Sequence, residues 1–251
     1  MNEERFTGKA DIYNKYRPSY PKEFIDYLYS QVGFNKNSVI ADIGAGTGKF
    51  SRLLLEKGSK VYCVEPNDDM RRTAEEDLSG FENFISVNAN ASYTGLKNKS
   101  VDFVTAAQAF HWFDRQEFKS ECQRILKPGG KVVIVYNGPE DCEFIQKRDI
   151  ITEKYAVGDK MGFQQRGGPV VEYDDFFADG IFEAKTFRND LQYNFDSFIG
   201  RELSRSYTPK EDKDPEKYHG LIKELSELFD KYSVNGILNF PHFTVSYVGN
   251  V

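Results

Sequence analysis

From residue 39 to 137 short β-branched runs alternate with amphipathic stretches, the pattern of strands and crossover helices in a parallel sheet. Five strands fall at Val39–Ile43, Lys60–Glu65, Phe84–Asn88, Val101–Ala106 and Lys131–Tyr136, with helices near Lys49–Lys57, Asp68–Asp77 and Arg115–Leu126. Pro128-Gly129-Gly130 ends the last helix and turns the chain into the fifth strand, because Pro cannot continue a helix and Gly accepts left-handed φ. Upstream, Phe24, Ile25, Leu28 and Val32 recur at helical spacing after Pro21, a good first-turn residue.

Downstream, Pro139–Ala156 reads as a helix, and Val157–Gly180 is rich in Gly and aromatics without clear periodicity, which suggests an inserted cap. Phe182–Tyr193 reads as strand, Tyr218, Leu221, Ile222, Leu225, Leu228, Phe229 and Tyr232 share one helical face, and Ile237–Val248 is again strand-like. A strand, a helix and a final strand can extend the sheet as an antiparallel hairpin at its edge. The expected organisation is one domain over 1–251: an N-terminal helical lid segment at 1–36, a cofactor-binding half at 37–137, the cap at 138–180, and C-terminal strands with substrate-side helices at 181–251.

The 251 residues suit one sizeable domain with a real core. A net charge of −6 and a pI near 5.3 argue against general affinity for nucleic acid or an anionic membrane, which needs clustered Lys and Arg. The polar start Met1-Asn2-Glu3-Glu4-Arg5 carries no apolar h-region, and no apolar run approaches membrane-spanning length, so cytoplasmic residence is expected. Cys63, Cys122 and Cys142 form no C-x-x-C pair and read as reduced thiols. With only three histidines, scattered, no zinc-ligand spacing appears and no metal is expected.

The most informative stretch is Val39-Ile40-Ala41-Asp42-Ile43-Gly44-Ala45-Gly46-Thr47-Gly48-Lys49, a buried strand running into three glycines and then a helix. Missing side chains permit close approach of a ligand, and free N–H groups at the helix start favour an anionic or strongly hydrogen-bonding group. A phosphate-binding P-loop is excluded, since Ile43 and Phe50 stand where Gly and Ser or Thr are required. A dinucleotide fingerprint needs Gly at the sixth position from Gly44, which is Lys49 here, so NAD(P) is weakened without being eliminated. Glu65, 21 positions beyond Gly44 in Val64-Glu65-Pro66-Asn67, ends the second strand where a carboxylate can accept from both hydroxyls of a ribose.

Asp42-x-Gly44-x-Gly46-x-Gly48 resembles the nucleotide loop of class I S-adenosylmethionine-dependent methyltransferases. Asp68-Asp69-Met70, Asn88-Ala89-Asn90, Gln108-Ala109-Phe110-His111-Trp112-Phe113 and Leu126-Lys127-Pro128-Gly129-Gly130 follow in the family's order. The resemblance covers about residues 39 to 137. It implies a Rossmann-like, doubly wound α/β fold: a mostly parallel seven-stranded sheet with an antiparallel last strand and a helical cap. It also implies S-adenosyl-L-methionine as cofactor, S-adenosyl-L-homocysteine as product, and contacts from Asp42, Gly44, Ala45, Gly46, Gly48, Glu65, Pro66, Met70, Asn88, Ala89 and Gln108. Asn88 stands where the family often has an acidic residue. His111 is the titratable group beside the crevice whose ordinary pKa suits a base, and equally a group that packs the floor of the site with Trp112.

Tyr13-x-x-Tyr16-Arg17-Pro18-Ser19-Tyr20-Pro21 and Arg201-Glu202-Leu203-Ser204-Arg205 resemble the subgroup that includes trans-aconitate methyltransferase-like proteins. That likeness implies that Tyr13, Tyr16 and Arg17 cover the cofactor and that Arg201 and Arg205 line the substrate pocket. The expected function is methyl transfer to a small-molecule acceptor, at a carboxylate or hydroxyl oxygen, by a monomer or homodimer acting on neither nucleic acid nor membrane. Two alternatives stand beside it: an NAD(P)-dependent oxidoreductase on the same fold, and a non-catalytic S-adenosylmethionine-binding module.

Overall fold

The computed structural model describes residues 16–157 and 173–251. Its frame is a seven-stranded sheet built from Val39–Ile43 (β1), Lys60–Val64 (β2), Phe84–Val87 (β3), Val101–Ala107 (β4), Leu126–Pro139 (β5), Phe182–Arg188 (β6) and, last in sequence, His242–Gly249. Two short strands, Leu191–Tyr193 (β7) and Leu238–Phe240 (β8), pair antiparallel in a separate ribbon, which makes His242–Gly249 β9. The order across the sheet is β3-β2-β1-β4-β5-β9-β6. Strands β1 to β5 are parallel neighbours, and β9 runs antiparallel to both β5 and β6.

Alternation along the strands sends Ile40, Val61, Cys63, Val133 and Val135 to one face and Ala41, Ile43, Val104, Val132 and Ile134 to the other. The first face is covered by Lys22–Tyr27 (α1), Lys49–Glu56 (α2) and Asp68–Leu78 (α3), through Phe24, Phe50, Leu54, Ala74 and Leu78. The second is covered by Arg115–Ile125 (α4), through Phe118, Cys122 and Ile125, with Tyr173, Phe176 and Phe177 beside it. The helix starts follow capping chemistry. Asn67 accepts from the Met70 N–H, and Asp114 accepts from the N–H groups of Gln116 and Glu117.

A third apolar cluster gathers Glu143–Tyr155 (α5), Phe195–Leu203 (α6) and Pro215–Tyr232 (α7) with β7 and β8, around Phe144, Phe198, Leu225, Phe229 and Phe240. The cap-like layer is therefore α5 together with residues 191–240. Within the stretch read as an inserted cap, Tyr173, Phe176 and Phe177 instead pack under the sheet.

Three details differ from the periodicity. The run Phe182–Tyr193 breaks at Asn189 and Asp190, where the Asn189 N–H turns to the His242 carbonyl, so Leu191–Tyr193 leaves the main sheet. The final run breaks at Pro241, which has no N–H for a ladder; β9 starts after it and, with β6, makes the expected antiparallel pair at the sheet's edge, β9 lying between β5 and β6. Helix α6 was not drawn from the sequence pattern, although Asn194 caps it by accepting from the Ser197 N–H. Among the described residues no helix is long and apolar enough to cross a membrane, and Cys63, Cys122 and Cys142 are free thiols.

Candidate active site

The carboxyl ends of β1, β2, β4 and β5 open onto one cavity of about 410 Å³, within the ~300–1,000 Å³ typical of small-ligand sites. Its floor is the turn after β1. Gly46 lies at φ +58° with nothing within 4 Å of the place a Cβ would take, so this backbone faces open space in a conformation that an L side chain adopts only under strain. Gly48 serves packing instead, since a Cβ there would stand 2.6 Å from Leu78 Cδ1 and push α3 away.

Glu65 fastens the turn to the end of β2. Its Oε2 accepts from the Gly46 N–H at 2.9 Å and its Oε1 from the Asn67 N–H at 2.9 Å. Burial raises its carboxyl above the usual range, against the opposing pull of those two backbone bonds. Both oxygens keep lone pairs for further donors. Asp42, at the end of β1, is 1% exposed and accepts from Ser51 Oγ at 2.6 Å and Thr105 Oγ1 at 2.7 Å. Burial outweighs those bonds and pushes its carboxyl up to about 6.

After β4 the chain enters Gln108 in the left-handed region, at φ +60°, a conformation costing a non-glycine residue roughly 1–2 kcal/mol. Two bonds hold it there, from its N–H to the Val135 carbonyl at 2.9 Å and from its Nε2 to the Asn137 carbonyl at 2.8 Å. Such strain clusters at functional positions. The next wall is an Asn turn: Asn90 Oδ1 accepts from the N–H groups of Ser92 and Tyr93, both at 3.1 Å, and sets Asn90, Ala91 and Ser92 along the cavity.

The far wall comes from the N-terminal segment, the end of β5, α6 and the start of β9, through Arg17, Asn137, Arg201 and His242. The N-terminal segment is pinned there. Asn137 Nδ2 and Asn189 Nδ2 donate to the Ser19 carbonyl at 3.4 and 3.0 Å, Arg17 donates to the Ser204 carbonyl at 3.4 Å, and Tyr16 lies directly against Gly200.

Of the residues expected from the sequence, the cavity lining gathers Asp42, Gly44, Ala45, Gly46, Glu65, Pro66, Met70, Gln108, Arg17, Trp112 and Arg201. Gly48, Asn88, Ala89, His111, Tyr16 and Arg205 stand outside the lining, and Tyr13 lies outside the described residues. Asn88 is exposed, and the turn two residues later takes its place at the wall. His111 packs against Trp112, with ring centroids 4.7 Å apart, and against Tyr136 at 6.1 Å. Burial, then the nearby Arg17, push its imidazole down to about 4, so it is neutral at pH 7. Arg205 is held from the cavity by Glu202, with Nε to Oε2 at 2.7 Å, and by the Tyr207 hydroxyl at 2.7 Å.

Sequence reasoning missed Asn137, Ala91, Ser92 and His242. Asn137 lies in the fifth strand, which runs on to Pro139, and was reachable by extending that strand beyond Tyr136. His242 was not, because it begins β9, and only an antiparallel strand brings its first residue to the carboxyl ends of the parallel ones.

A glycine turn fastened to an acid across a strand boundary defines a nucleotide-type site on a doubly wound sheet. The comparisons give the class. A family model described as a methyltransferase domain matches residues 41–134. An uncharacterized methyltransferase of Schizosaccharomyces pombe is 27% identical, covering 96% of this chain and 95% of its own. One from Mycobacterium tuberculosis is 35% identical over 53% of this chain, which spans about half (51%) of that relative's length. Among solved structures, the YcgJ protein of Bacillus subtilis aligns with a TM-score of 0.58 at 19% identity, covering 92% of this chain and 100% of that one. Haemonchus contortus phosphoethanolamine N-methyltransferase 2, in complex with phosphomonomethylethanolamine and S-adenosylhomocysteine, aligns at 0.51 and 19%, covering 96% of this chain and 56% of its own. The likeness to both is one of fold.

Residues 41–134 match the methyltransferase domain, and over nearly its whole length the chain is similar to a methyltransferase; the cofactor of that chemistry is S-adenosylmethionine. The nicotinamide alternative is not favoured. The residues present fit that cofactor: a backbone cradle open at Gly46, a buried carboxylate at Glu65 with lone pairs to spare, and a cavity of small-ligand size.

Proposed function

We propose that this protein methylates a small-molecule acceptor at a carboxylate or hydroxyl oxygen, as a cytoplasmic monomer or homodimer related to the trans-aconitate methyltransferase-like subgroup. The observation that carries this reading is one cavity with two chemically different ends: a glycine turn with Glu65 at one, and Arg17, Asn137, Arg201 and His242 at the other. The enclosure suits a free small molecule better than a polymer chain.

In this reading Glu65 accepts from ribose hydroxyls, Met70 and the 90–92 turn flank the base, and Gly44, Ala45 and Gly46 offer backbone to the rest of the cofactor. Bound there, S-adenosylmethionine supplies a methyl group already activated on a sulfonium. The chain's own task is then alignment and exclusion of water. Gln108, locked by its two bonds, fixes the wall between the two ends. The segment 16–21 roofs the cavity. A group with a pKa near 4 that stands outside the lining is a poor proton acceptor, so His111 is assigned to positioning Trp112. That suits an acceptor already ionised, or one acidic enough to need little help.

The test is release of S-adenosylhomocysteine by the purified protein with S-adenosylmethionine and a panel of small carboxylic acids, phenols and alcohols. Acceptor-dependent release supports the reading. Cofactor binding without release on any panel member, with release on a peptide or nucleic acid, contradicts it.

A further inference from the structure

Among the described helices two carry a glycine in their interior, Gly200 in α6 and Gly220 in α7. Glycine is unfavourable there relative to alanine, because it gives up more backbone freedom on folding, so each calls for a packing reason. Both face a tyrosine ring. A Cβ at Gly220 would stand 2.5 Å from Tyr155 Cε1, and one at Gly200 would stand 2.5 Å from Tyr16 Cδ2 and Cε2 and 2.7 Å from Cγ. Tyr155 belongs to α5 and its hydroxyl donates to Glu224 at 2.7 Å, so Gly220 joins two helices of one apolar cluster. Tyr16 belongs to no such cluster. It lies upstream of α1, at the start of the segment that roofs the cavity.

The roof is held unevenly. At its downstream end Tyr20 packs edge-on against Phe50, with ring centroids 5.0 Å apart, and the Pro21 carbonyl accepts from the Phe24 N–H at 3.1 Å, which ties this end to the core through α1. Upstream, Asn137 and Asn189 donate to the Ser19 carbonyl and Arg17 to the Ser204 carbonyl, two of these three bonds at 3.4 Å, beyond the usual range for N–H···O. Pro18 and Pro21 fix their own φ and restrict Arg17 and Tyr20 before them, so residues 17–21 move as a stiff piece. Arg17, Pro18 and Tyr20 all line the cavity. The seat of Tyr16 therefore places that wall.

We propose that Gly200 is the seat of a latch, in which the docked Tyr16 ring holds residues 16–20 over the cavity and its undocking sets the rate at which S-adenosylhomocysteine leaves. This rests on the methyltransferase reading of the cavity and adds a release step to it. Gly200 stands outside the cavity lining and acts through Tyr16, so it is a positioning residue. The seat is made of helix backbone, present whenever α6 is folded, so the ring returns to a site that needs no ordering. Through α6, part of the third apolar cluster, the latch joins the cap-like layer to the roof.

The test is the dissociation rate of radiolabelled S-adenosylhomocysteine, chased by unlabelled compound, from wild type, Gly200→Ala, Tyr16→Ala and the double variant, beside the thermal midpoint of each. Alanine suits a helix interior better than glycine, so Gly200→Ala should keep a midpoint close to wild type while its dissociation rate rises at least tenfold. Tyr16→Ala, which leaves α6 untouched, should release at least tenfold faster as well. The double variant should be no faster than Tyr16→Ala alone, because the two substitutions break one contact. A second readout needs no ligand: chymotrypsin should cut after Tyr16 at least tenfold faster in Gly200→Ala than in wild type, since cleavage follows the fraction of molecules with the ring undocked. The proposal is overturned if either single variant releases within twofold of wild type, or if the two single effects multiply in the double variant. It is also overturned if faster release is matched by a fall in midpoint, or if the bond after Tyr16 is cut at the same rate in both proteins. Wild-type protein that takes up no S-adenosylhomocysteine would refute the cofactor reading instead, and the cleavage rates would still decide whether the latch exists.

Discussion

The two ends of the cavity solve recognition by opposite means. The β1 end presents backbone, in a turn whose shape is set by Gly46 and whose position is set by one acid, Glu65, bonded to two N–H groups. The α6 end presents long side chains, each held by another charge: Arg201 and Arg205 by Glu202, and Arg148 by Glu202 and Asp149. A backbone cradle tolerates changes around it provided the glycines remain. A charge knot does not, because removing one partner strands the others.

The largest expected effect follows from that contrast. Glu202→Gln leaves three guanidinium groups around a neutral amide and should cost ~3–5 kcal/mol, read as a fall in urea midpoint. A loss below about 1 kcal/mol would mean that the knot is solvated and that the two ends differ less than described.

Next comes Asp42, with a pH signature. Its folded pKa, about 6, is raised above the ordinary 3.8. The native state therefore holds this proton more tightly than the unfolded chain does. The stability it contributes is complete below about pH 4, is lost as pH rises through 6, and is flat above. Between pH 4 and 7 the stability of Asp42→Asn relative to wild type should rise by on the order of 2 kcal/mol, the other titrating groups cancelling in the comparison. A difference independent of pH would show that Asp42 titrates normally.

Glu65→Gln sharpens the comparison at the cradle. It replaces a carboxylate bonded to two backbone N–H groups by an amide, and should weaken S-adenosylmethionine by roughly tenfold or more. The smallest effect is expected at His111. Because positioned general bases contribute ~10²–10⁴-fold, His111→Gln should lower kcat by less than about tenfold and leave the rate profile flat from pH 6 to 8. A hundredfold loss would restore it as a base.

The cradle was readable in the sequence because its chemistry is local. Asp42, Gly44, Gly46 and Gly48 lie within seven residues, and Glu65 sits at the end of the next strand, so parallel pairing alone carries it to the loop. The same holds for the positions of the first five strands along the chain. The α6 end was only half readable. Arg201 and Arg205 stand four positions apart, yet α6 ends at Leu203 between them, and which of them meets the cavity depends on Glu202 and on Tyr207 taking Arg205. His242 comes to lie opposite Pro139, two residues beyond Asn137, only through the antiparallel entry of β9, and the break at Pro241 that sets its start reads in the sequence as part of one continuous strand.

Separate titration of S-adenosylmethionine into wild type, Glu65→Gln and Arg201→Met tests the division of the cavity most directly. The structure predicts one site per chain, weakened at least tenfold by Glu65→Gln and within twofold of wild type in Arg201→Met. Equal weakening by the two substitutions, or binding of NAD in place of S-adenosylmethionine, would contradict it.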